Sequence, residues 1–270
     1  MSNSSAKSSA NADDHSSLKR RLWGRRMGRP LKKDRLHAIE KILPVVAIPE
    51  DKITDARDLD PASLFLKPFS DYWFEIGFGN GEHLIALKNG FADVGFIGAE
   101  PFVNGMANFL KDLDCHSGES RNPVDDSPPD PGFRRDDILG NVRVHMDDAM
   151  MIVRSLKDKS LGRIYILNPD PWPKTRHHKR RIVSQANLDE FARVLKPGGK
   201  LVLATDVDDL AEWMVTQCMI HPAFEWTAHS SKDWQTPPAE WIETRYAFKG
   251  KQAGRRQTFL IFKNLAKPLK

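Results

Sequence analysis

The sequence is poor in cysteine and contains no long hydrophobic run. It has two cysteines, Cys115 and Cys218, and neither belongs to a C-x-x-C pair, so a disulfide framework and a cysteine-based zinc site are both disfavoured. No apolar stretch reaches the roughly 18 residues of a membrane-spanning helix. Residues 1–17 also lack the apolar segment of a secretory signal. We therefore expect a cytoplasmic protein that does not bind membranes.

The composition predicts a tail followed by one domain. Residues 1–35 form the predicted tail, in which a Ser-rich, disordered part precedes a basic part that is expected to become ordered on a partner. Residues 36–270 form the predicted domain. Within it, residues 116–136 contain four prolines, many charges and almost no core-forming side chains. We interpret them as a flexible insertion, with a functional lid as the alternative.

Positive charge is concentrated in three segments, although the net charge is only +5. Lysine and arginine together number nine in residues 18–35, five in 172–181 and eight in 244–270. Such clusters favour a polyphosphate partner, because neutralising phosphates releases their counterions. A single cluster could be a solvated face, but three of them favour a nucleic acid.

Strands and helices are predicted to alternate from Tyr72 onward. Short β-branched and aromatic runs predict strands at 72–76, 94–99, 142–145, 163–167, 201–205, near 224–228 and near 257–262. Helices are predicted at 82–91, 102–113, 148–157, 184–195 and 208–219. This alternation predicts an α/β fold with a mostly parallel, doubly wound sheet and helices on both faces.

The first predicted strand ends in a glycine-rich loop that begins at Glu75 and reads E-I-G-F-G-N-G. Its glycines, Gly77, Gly79 and Gly81, permit positive φ angles and let a ligand approach the backbone. A dinucleotide fingerprint would need a glycine at position 82, where Glu82 would instead repel a pyrophosphate. The spacing E-x-G-x-G-x-G is typical of S-adenosylmethionine-dependent methyltransferases, and a plain tight turn is the alternative.

Two acidic positions further along the chain suit a nucleoside. Glu100 ends the second predicted strand, where a carboxylate can accept both ribose hydroxyls. Asp148 follows the third strand and could accept a hydrogen bond from an adenine amino group. Its neighbour Asp147 is an equal candidate, and either aspartate could instead cap the following helix.

The most specific string begins at Asn168 and reads N-P-D-P-W-P-K-T-R-H-H-K-R-R. Its alternating prolines predict a rigid loop at the carboxyl edge of the sheet, where such folds bind ligands. Trp172 could stack on a base, the Asp170 carboxylate could bind a guanine edge, and the cations could hold phosphates. His177 and His178 are adjacent, without the spacing of a zinc site, so we expect no metal.

Together these motifs resemble the tRNA (guanine-N7-)-methyltransferase family. The matching residues are 74–81 in the glycine loop, 169–172 with Lys174 and 178–181, 195–199, 205–206, and the basic stretch 24–29. The resemblance covers most of residues 22–262 except the insertion. It implies a Rossmann-like class I methyltransferase fold, with a seven-stranded sheet and an antiparallel C-terminal strand.

The resemblance also implies an activity, a cofactor and a set of site residues. The implied reaction moves a methyl group from S-adenosylmethionine to N7 of the guanine at position 46 of the tRNA variable loop, which forms 7-methylguanosine. Asp170 would be the catalytic residue. The cofactor would contact Glu75, Gly77, Gly79, Gly81, Glu100 and Asp148. The tRNA would contact Lys174, Asp206, Thr244, Arg245, Tyr246 and Ala247. The expected assembly is a monomer or a homodimer.

One position departs from the family pattern. Ala247 stands where the family typically has a glutamate, and Glu243 is a possible but displaced substitute. Two alternatives therefore remain open. One is a methyltransferase acting on another nucleic-acid amine, since the N-P-D-P string loosely resembles the loop of exocyclic-amine enzymes. The other is a non-catalytic RNA-binding relative, which the alanine alone supports.

Overall fold

The computed structural model describes residues 22–118 and 140–266. The Ser-rich segment 1–17 and most of the predicted insertion, residues 119–136, lie outside these ranges. The division into a tail of 35 residues and one domain stays a prediction.

The described residues form one seven-stranded sheet. Its strands are β1 (Asp71–Ile76), β2 (Val94–Ala99), β3 (Val142–His145), β4 (Leu161–Leu167), β5 (Leu195–Thr205), β6 (Phe224–Trp226) and β7 (Thr258–Asn264). The order across the sheet is β3-β2-β1-β4-β5-β7-β6. The first five strands pair in parallel, whereas β7 runs antiparallel to both β5 and β6. The predicted fold class is therefore confirmed.

Nine α-helices accompany the sheet in the described ranges. They are α1 (Lys33–Lys41), α2 (Leu43–Val46), α3 (Glu82–Gly90), α4 (Val103–Gly118), α5 (Ala149–Ser155), α6 (Gln185–Val194), α7 (Asp208–Ile220), α8 (Ser231–Gln235) and α9 (Arg245–Gln252). The five helices expected from the sequence correspond to α3 through α7. The sequence did not predict α9, because it is short, contains a glycine and buries only Ala247 and Gly250.

Both faces of the sheet are covered, which explains why its strands are continuous apolar runs. Along β1, Tyr72, Phe74 and Ile76 belong to the core on one face, and Trp73 belongs to the core on the other face. Because side chains alternate along a strand, Glu75 points to the same face as Trp73. The fold therefore buries the carboxylate of Glu75 near the end of β1, just before the glycine loop.

The strand order places the predicted site residues at one edge. The chain leaves β1 toward β2 and β3 and later returns to the other side of β1 as β4. The resulting switch point lies between β1 and β4, and ligands bind outside the carboxyl ends of the strands at such points. The loops after β1, β2, β3 and β4 all lie at this edge because these strands are parallel.

Candidate functional site

The glycine loop has the backbone conformation that its sequence predicts. Gly77, Gly79 and Gly81 have φ angles of +71°, +59° and +82°, a region that other residues rarely adopt. A Cβ atom on Gly81 would lie 2.3 Å from the ring of Phe109, whereas one on Gly77 would meet nothing within 4 Å. The third glycine thus allows α4 to pack closely, and the first leaves open space beside the backbone for a ligand.

Glu100 braces this loop from the end of β2. Its Oε2 accepts a hydrogen bond from the Gly79 amide at 2.7 Å, and its Oε1 accepts one from the Phe102 amide at 2.8 Å. The pKa of Glu100 is raised to about 7, mainly by burial and to a smaller extent by the charges of Asp170 and Glu75, while these two hydrogen bonds oppose the shift. A carboxylate has about four acceptor positions, so Glu100 can still receive two ribose hydroxyls.

Glu75 has a buried histidine as its partner. Its Oε2 lies 3.0 Å from Nδ1 of His83 on α3, and the two side chains are only 3% and 2% exposed. The imidazole also contacts the rings of Tyr165 and Trp241 at 5.1 and 5.8 Å. His83 was not predicted from the sequence, although its place in the first turn of the helix after the glycine loop was an available signal.

Asp148 caps α5, which was one of the two roles predicted for it from the sequence. Its side chain accepts a hydrogen bond from the Met150 amide at 3.0 Å. Asp147 accepts one from the Asp148 amide at 2.7 Å and forms an ion pair with Arg26 at 3.4 Å. A contact from Asp148 to an adenine stays a prediction.

The loop after β4 is held in an unusual backbone conformation. Asn168 and Trp172 have φ angles of +48° and +43°, which is rare for a bulky side chain and is concentrated at functional sites. Arg181, which is 2% exposed, donates to the Pro171 carbonyl at 2.9 Å and fixes the loop from below. Asp170 is therefore presented at the rim of the crevice, where the surrounding protein displaces water and raises its pKa.

The basic N-terminal segment, residues 22–29, lies across the same edge. Arg180 stacks between two indole rings, 4.6 Å from that of Trp23 and 4.8 Å from that of Trp172. The Val103 amide donates to the Arg26 carbonyl at 2.9 Å. A Cβ on Gly24 would lie 3.4 Å from Oδ2 of Asp170. The sequence did not predict this docking, because it depends on residues far away in the chain.

The C-terminal motif closes the other side of the crevice. Thr244 caps α9 by accepting from the Ala247 amide at 3.2 Å, and this cap orients the next turn. Tyr246 lies over the glycine loop, where its Cε2 is 3.2 Å from the place of a Cβ on Gly79. Burial raises the pKa of Tyr246, and the charges of Glu100 and Asp170 add to the effect.

The predicted site residues do not all meet at one place. Glu75, the glycine loop, Glu100, Asp170 and Tyr246 surround the crevice. The Asp206 carboxylate forms an ion pair with Arg255 at 2.7 Å, and the side chains of Lys174 and Arg245 are exposed. The structure thus separates an inner acidic region from an outer, more basic one.

Known proteins are similar in sequence to this chain over most of its length. A family model described as "Putative methyltransferase" matches residues 70–260. A tRNA (guanine-N(7)-)-methyltransferase from Rhodospirillum rubrum is 38% identical over 243 residues, which cover 90% of this chain and 87% of that protein. One from Chelativorans sp. is 41% identical over 241 residues, with coverage of 89% and 94%. The chain belongs to this methyltransferase family. The resemblance seen in the motifs is confirmed.

The chemistry of the crevice fits the methyl donor that this family membership suggests. S-adenosylmethionine has a sulfonium, an ammonium, ribose hydroxyls and a carboxylate, but no phosphate. Carboxylates of Glu75 and Glu100 suit the cationic and hydroxyl groups, and the open backbone beside Gly77 suits close approach. The acid at Glu82 in the first turn of α3 would oppose a phosphate there.

The described ranges contain neither a metal-binding cluster nor a membrane-spanning helix. No group of three or more His, Cys, Asp or Glu side chains there is arranged to hold a metal ion. Among these same residues, no helix has both the length and the apolar character needed to cross a membrane.

Proposed function

We propose that this protein transfers a methyl group from S-adenosylmethionine to N7 of a guanine in tRNA. The observation that carries the proposal is the position of Asp170 in a methyltransferase fold. Its carboxylate stands at the rim of a crevice whose inner wall is Glu100 and the glycine loop, and Tyr246 covers the opposite side. The flanking loop supplies the cations that a polynucleotide requires.

The inner wall would hold the cofactor. S-adenosylmethionine, when bound, supplies a methyl group activated by its sulfonium. Glu100 would accept the ribose hydroxyls, Glu75 would attract the ammonium group, and the Gly77 backbone would admit the ligand closely. His83 keeps the Glu75 carboxylate in place through the 3.0 Å contact.

The chemical step requires little acid–base catalysis from the protein. Guanine N7 has a lone pair and no proton, so its attack on a methyl group needs no general base. Positive charge develops on the guanine as N7 is methylated, and Asp170 would stabilise it more in the transition state than in the ground state. The same carboxylate can accept from the N1–H and the N2 amino group, which selects guanine and aligns N7.

The outer region would hold the tRNA. Lys174 and Arg245 are exposed beside the crevice, and the Arg180 guanidinium is held between Trp23 and Trp172. Such cations and aromatic rings are typical of sites that bind single-stranded or looped RNA. A guanine of the variable loop, at tRNA position 46, is the target that the family resemblance favours. A tRNA substrate also agrees with the cytoplasmic location expected from the sequence.

The decisive experiment measures transfer of labelled methyl groups to an unmodified tRNA transcript. A matched transcript with adenine in place of the variable-loop guanine is the control. We expect label in the first transcript and none in the second. Cofactor binding without label in either tRNA would favour a different nucleic-acid amine as acceptor. Failure to bind S-adenosylmethionine would instead support a non-catalytic RNA-binding protein.

A further inference from the structure

A cavity lies between α9, the segment before it and the start of β7. It has a volume of about 520 Å³. Its lining includes Trp241, Ala247, Lys251, Arg255, Arg256 and Phe259. A volume of this size is in the range of small-molecule or nucleotide sites.

One wall of this α9 cavity is aromatic. The rings of Trp241 and Phe259 meet edge to face, with their centroids 4.8 Å apart. Phe259 is buried in β7, and Trp241 is half-buried in the segment before α9. An aromatic ring that lines a cavity can stack with a nucleobase, because every base has a π-face.

The other wall is basic. Arg255 is bound to Asp206 at 2.7 Å, and Lys251 lies 3.4 Å from Glu243. Arg256 is exposed and forms no ion pair within the described part of the chain. Of these three cations, Arg255 is paired with Asp206 and Lys251 lies near Glu243, so Arg256 is the one whose charge has no described acidic partner. Ala247 adds no charge at a position where a glutamate would have offset one of them.

The α9 cavity adjoins the proposed site of methyl transfer. Gln257, which also lines it, donates to Oδ1 of Asn168 at 2.9 Å. Asn168 stands two residues before Asp170 in the same rigid loop. On α9, Tyr246 contacts the glycine loop while the next residue, Ala247, lines the cavity. A polynucleotide with one base beside Asp170 would thus bring its neighbouring nucleotide to this cavity.

We propose that the α9 cavity binds the tRNA nucleotide next to the methylated guanine. Its phosphate is held by Arg256 with help from Lys251, and its base lies against the wall of Trp241 and Phe259. The inference rests on the proposed function, since the position of the target guanine defines which nucleotide is adjacent. It assigns to the protein a second nucleotide subsite outside the methyl-transfer crevice.

The test removes the positive charge of Arg256 from the protein and, separately, the negative charge of the phosphate from the tRNA. Arg256→Ala is compared with Lys52→Ala, an exposed residue outside the cavity that carries the same charge. Each protein is assayed with tRNA and with tRNA in which a neutral methylphosphonate replaces one of the two linkages flanking the target guanine. The measurements are KM, kcat and the affinity for S-adenosylmethionine.

We expect Arg256→Ala to raise the KM for tRNA about tenfold, as for a lost charged hydrogen bond, with kcat and cofactor affinity unchanged. One of the two neutral linkages should raise the wild-type KM similarly and add nothing further in the variant. Two outcomes would overturn the subsite. The first is a rise in KM for Arg256→Ala that is no larger than the rise for Lys52→Ala. The second is that each of the two neutral linkages raises the KM of the Arg256→Ala variant by the same factor as it raises the KM of the wild type.

A separate arm tests the aromatic wall through the RNA, because Phe259 is a core residue whose removal would unfold the strand. An abasic nucleotide on the same side should raise the wild-type KM at least about fivefold, the order of one lost stacking contact. An unchanged KM would overturn the placement of the base. If wild-type protein methylates no tRNA, the proposed function fails by itself. A loss of tRNA binding affinity in Arg256→Ala that exceeds the loss in Lys52→Ala would then still show that the cavity binds RNA, and an equal loss would overturn that as well.

Discussion

The inner and outer parts of the crevice are built in opposite ways. On the inner side, Glu75, Glu100 and Asp148 are 3%, 7% and 6% exposed, and each accepts a hydrogen bond or contact from a protein group. On the outer side, Lys174 and Arg245 are exposed. In the proposed inner site a small ligand would meet carboxylates fixed in advance, because buried charges must be hydrogen-bonded. In the proposed outer site a large polyanion would meet exposed cations.

The largest effect should come from the residue at the boundary between these two parts. Asp170→Asn keeps the shape of the side chain but removes the charge that stabilises the developing cation on guanine. We expect kcat to fall at least about 100-fold, which corresponds to roughly 3 kcal/mol. The affinity for S-adenosylmethionine should change less than about twofold, because the inner wall is intact.

Single-turnover methylation would measure the rate of methyl transfer, and isothermal titration would measure the affinity for S-adenosylmethionine. Asp58→Asn, at an exposed position before β1, controls for loss of one negative charge. Turnover of the Asp170 variant within a few-fold of wild type would show that this carboxylate is not the catalytic group.

The next effect concerns the stability of the inner wall. His83→Phe leaves the Glu75 carboxylate buried without its partner, which should lower the free energy of unfolding by about 2–3 kcal/mol. The double variant Glu75→Leu/His83→Phe should recover part of this loss, because both polar groups are then removed from the core. Urea unfolding followed by circular dichroism measures both values.

His37→Phe on α1 is the matched control, since His37 is exposed and its replacement should be nearly neutral. A double variant that is less stable than His83→Phe would mean that the two side chains do not stabilise each other.

A smaller, pH-dependent effect should reveal Glu100. Burial raises its pKa to about 7 from an ordinary 4.5, so the cofactor-free fold binds this proton more tightly than the unfolded chain does. The contribution of Glu100 to stability therefore falls as the pH rises from about 4.5 to about 7. Cofactor binding should respond in the opposite sense, because a cationic ligand with ribose hydroxyls favours the ionised carboxylate.

We expect the affinity for S-adenosylmethionine to increase up to about tenfold per pH unit below 7 and to level off above it. Calorimetry in buffers of different ionisation enthalpy should also detect protons released on binding near pH 6. An affinity that is flat from pH 5.5 to 8 would contradict a protonated Glu100 in the free protein.

The smallest effect tests the outer side. Trp23→Ala removes one of the two rings that hold Arg180, a contact worth about 1 kcal/mol. Residues 22–29 should then detach more often, and trypsin should cleave after Arg25 or Arg26 a few times faster. Met27→Ala, in the same segment and with a side chain that is 59% exposed against 47% for Trp23, should leave the rate unchanged. Equal cleavage rates in all three proteins would show that Trp23 does not anchor the segment.

Much of the fold could be predicted from the sequence because its signals are local. Apolar runs of strand length, separated by helical periods and turn residues, locate all seven strands and helices α3 through α7. The four helices of the described ranges that were not predicted are α1, α2, α8 and α9. α1 has nine residues but buries only Ala38, and α2 has four residues. α8 has five residues, and α9 is a polar segment whose conformation depends on the Thr244 cap and on packing against the crevice.

The sequence by itself determined which chemical groups the site contains. Glycines at alternating positions, an acid at the end of β2 and a rigid acidic–aromatic loop after β4 all follow from residue type and spacing, because each motif is continuous in the chain.

Only the tertiary structure decided how these groups are partnered. The pairing of His83 with Glu75, the docking of Trp23 on Arg180 and the α9 cavity beside Ala247 join residues from separate elements. The raised pKa of Glu100 likewise needs the burial that the folded crevice imposes. Contacts and desolvation depend on distances in space, and these exist only once the strands have assembled into the sheet.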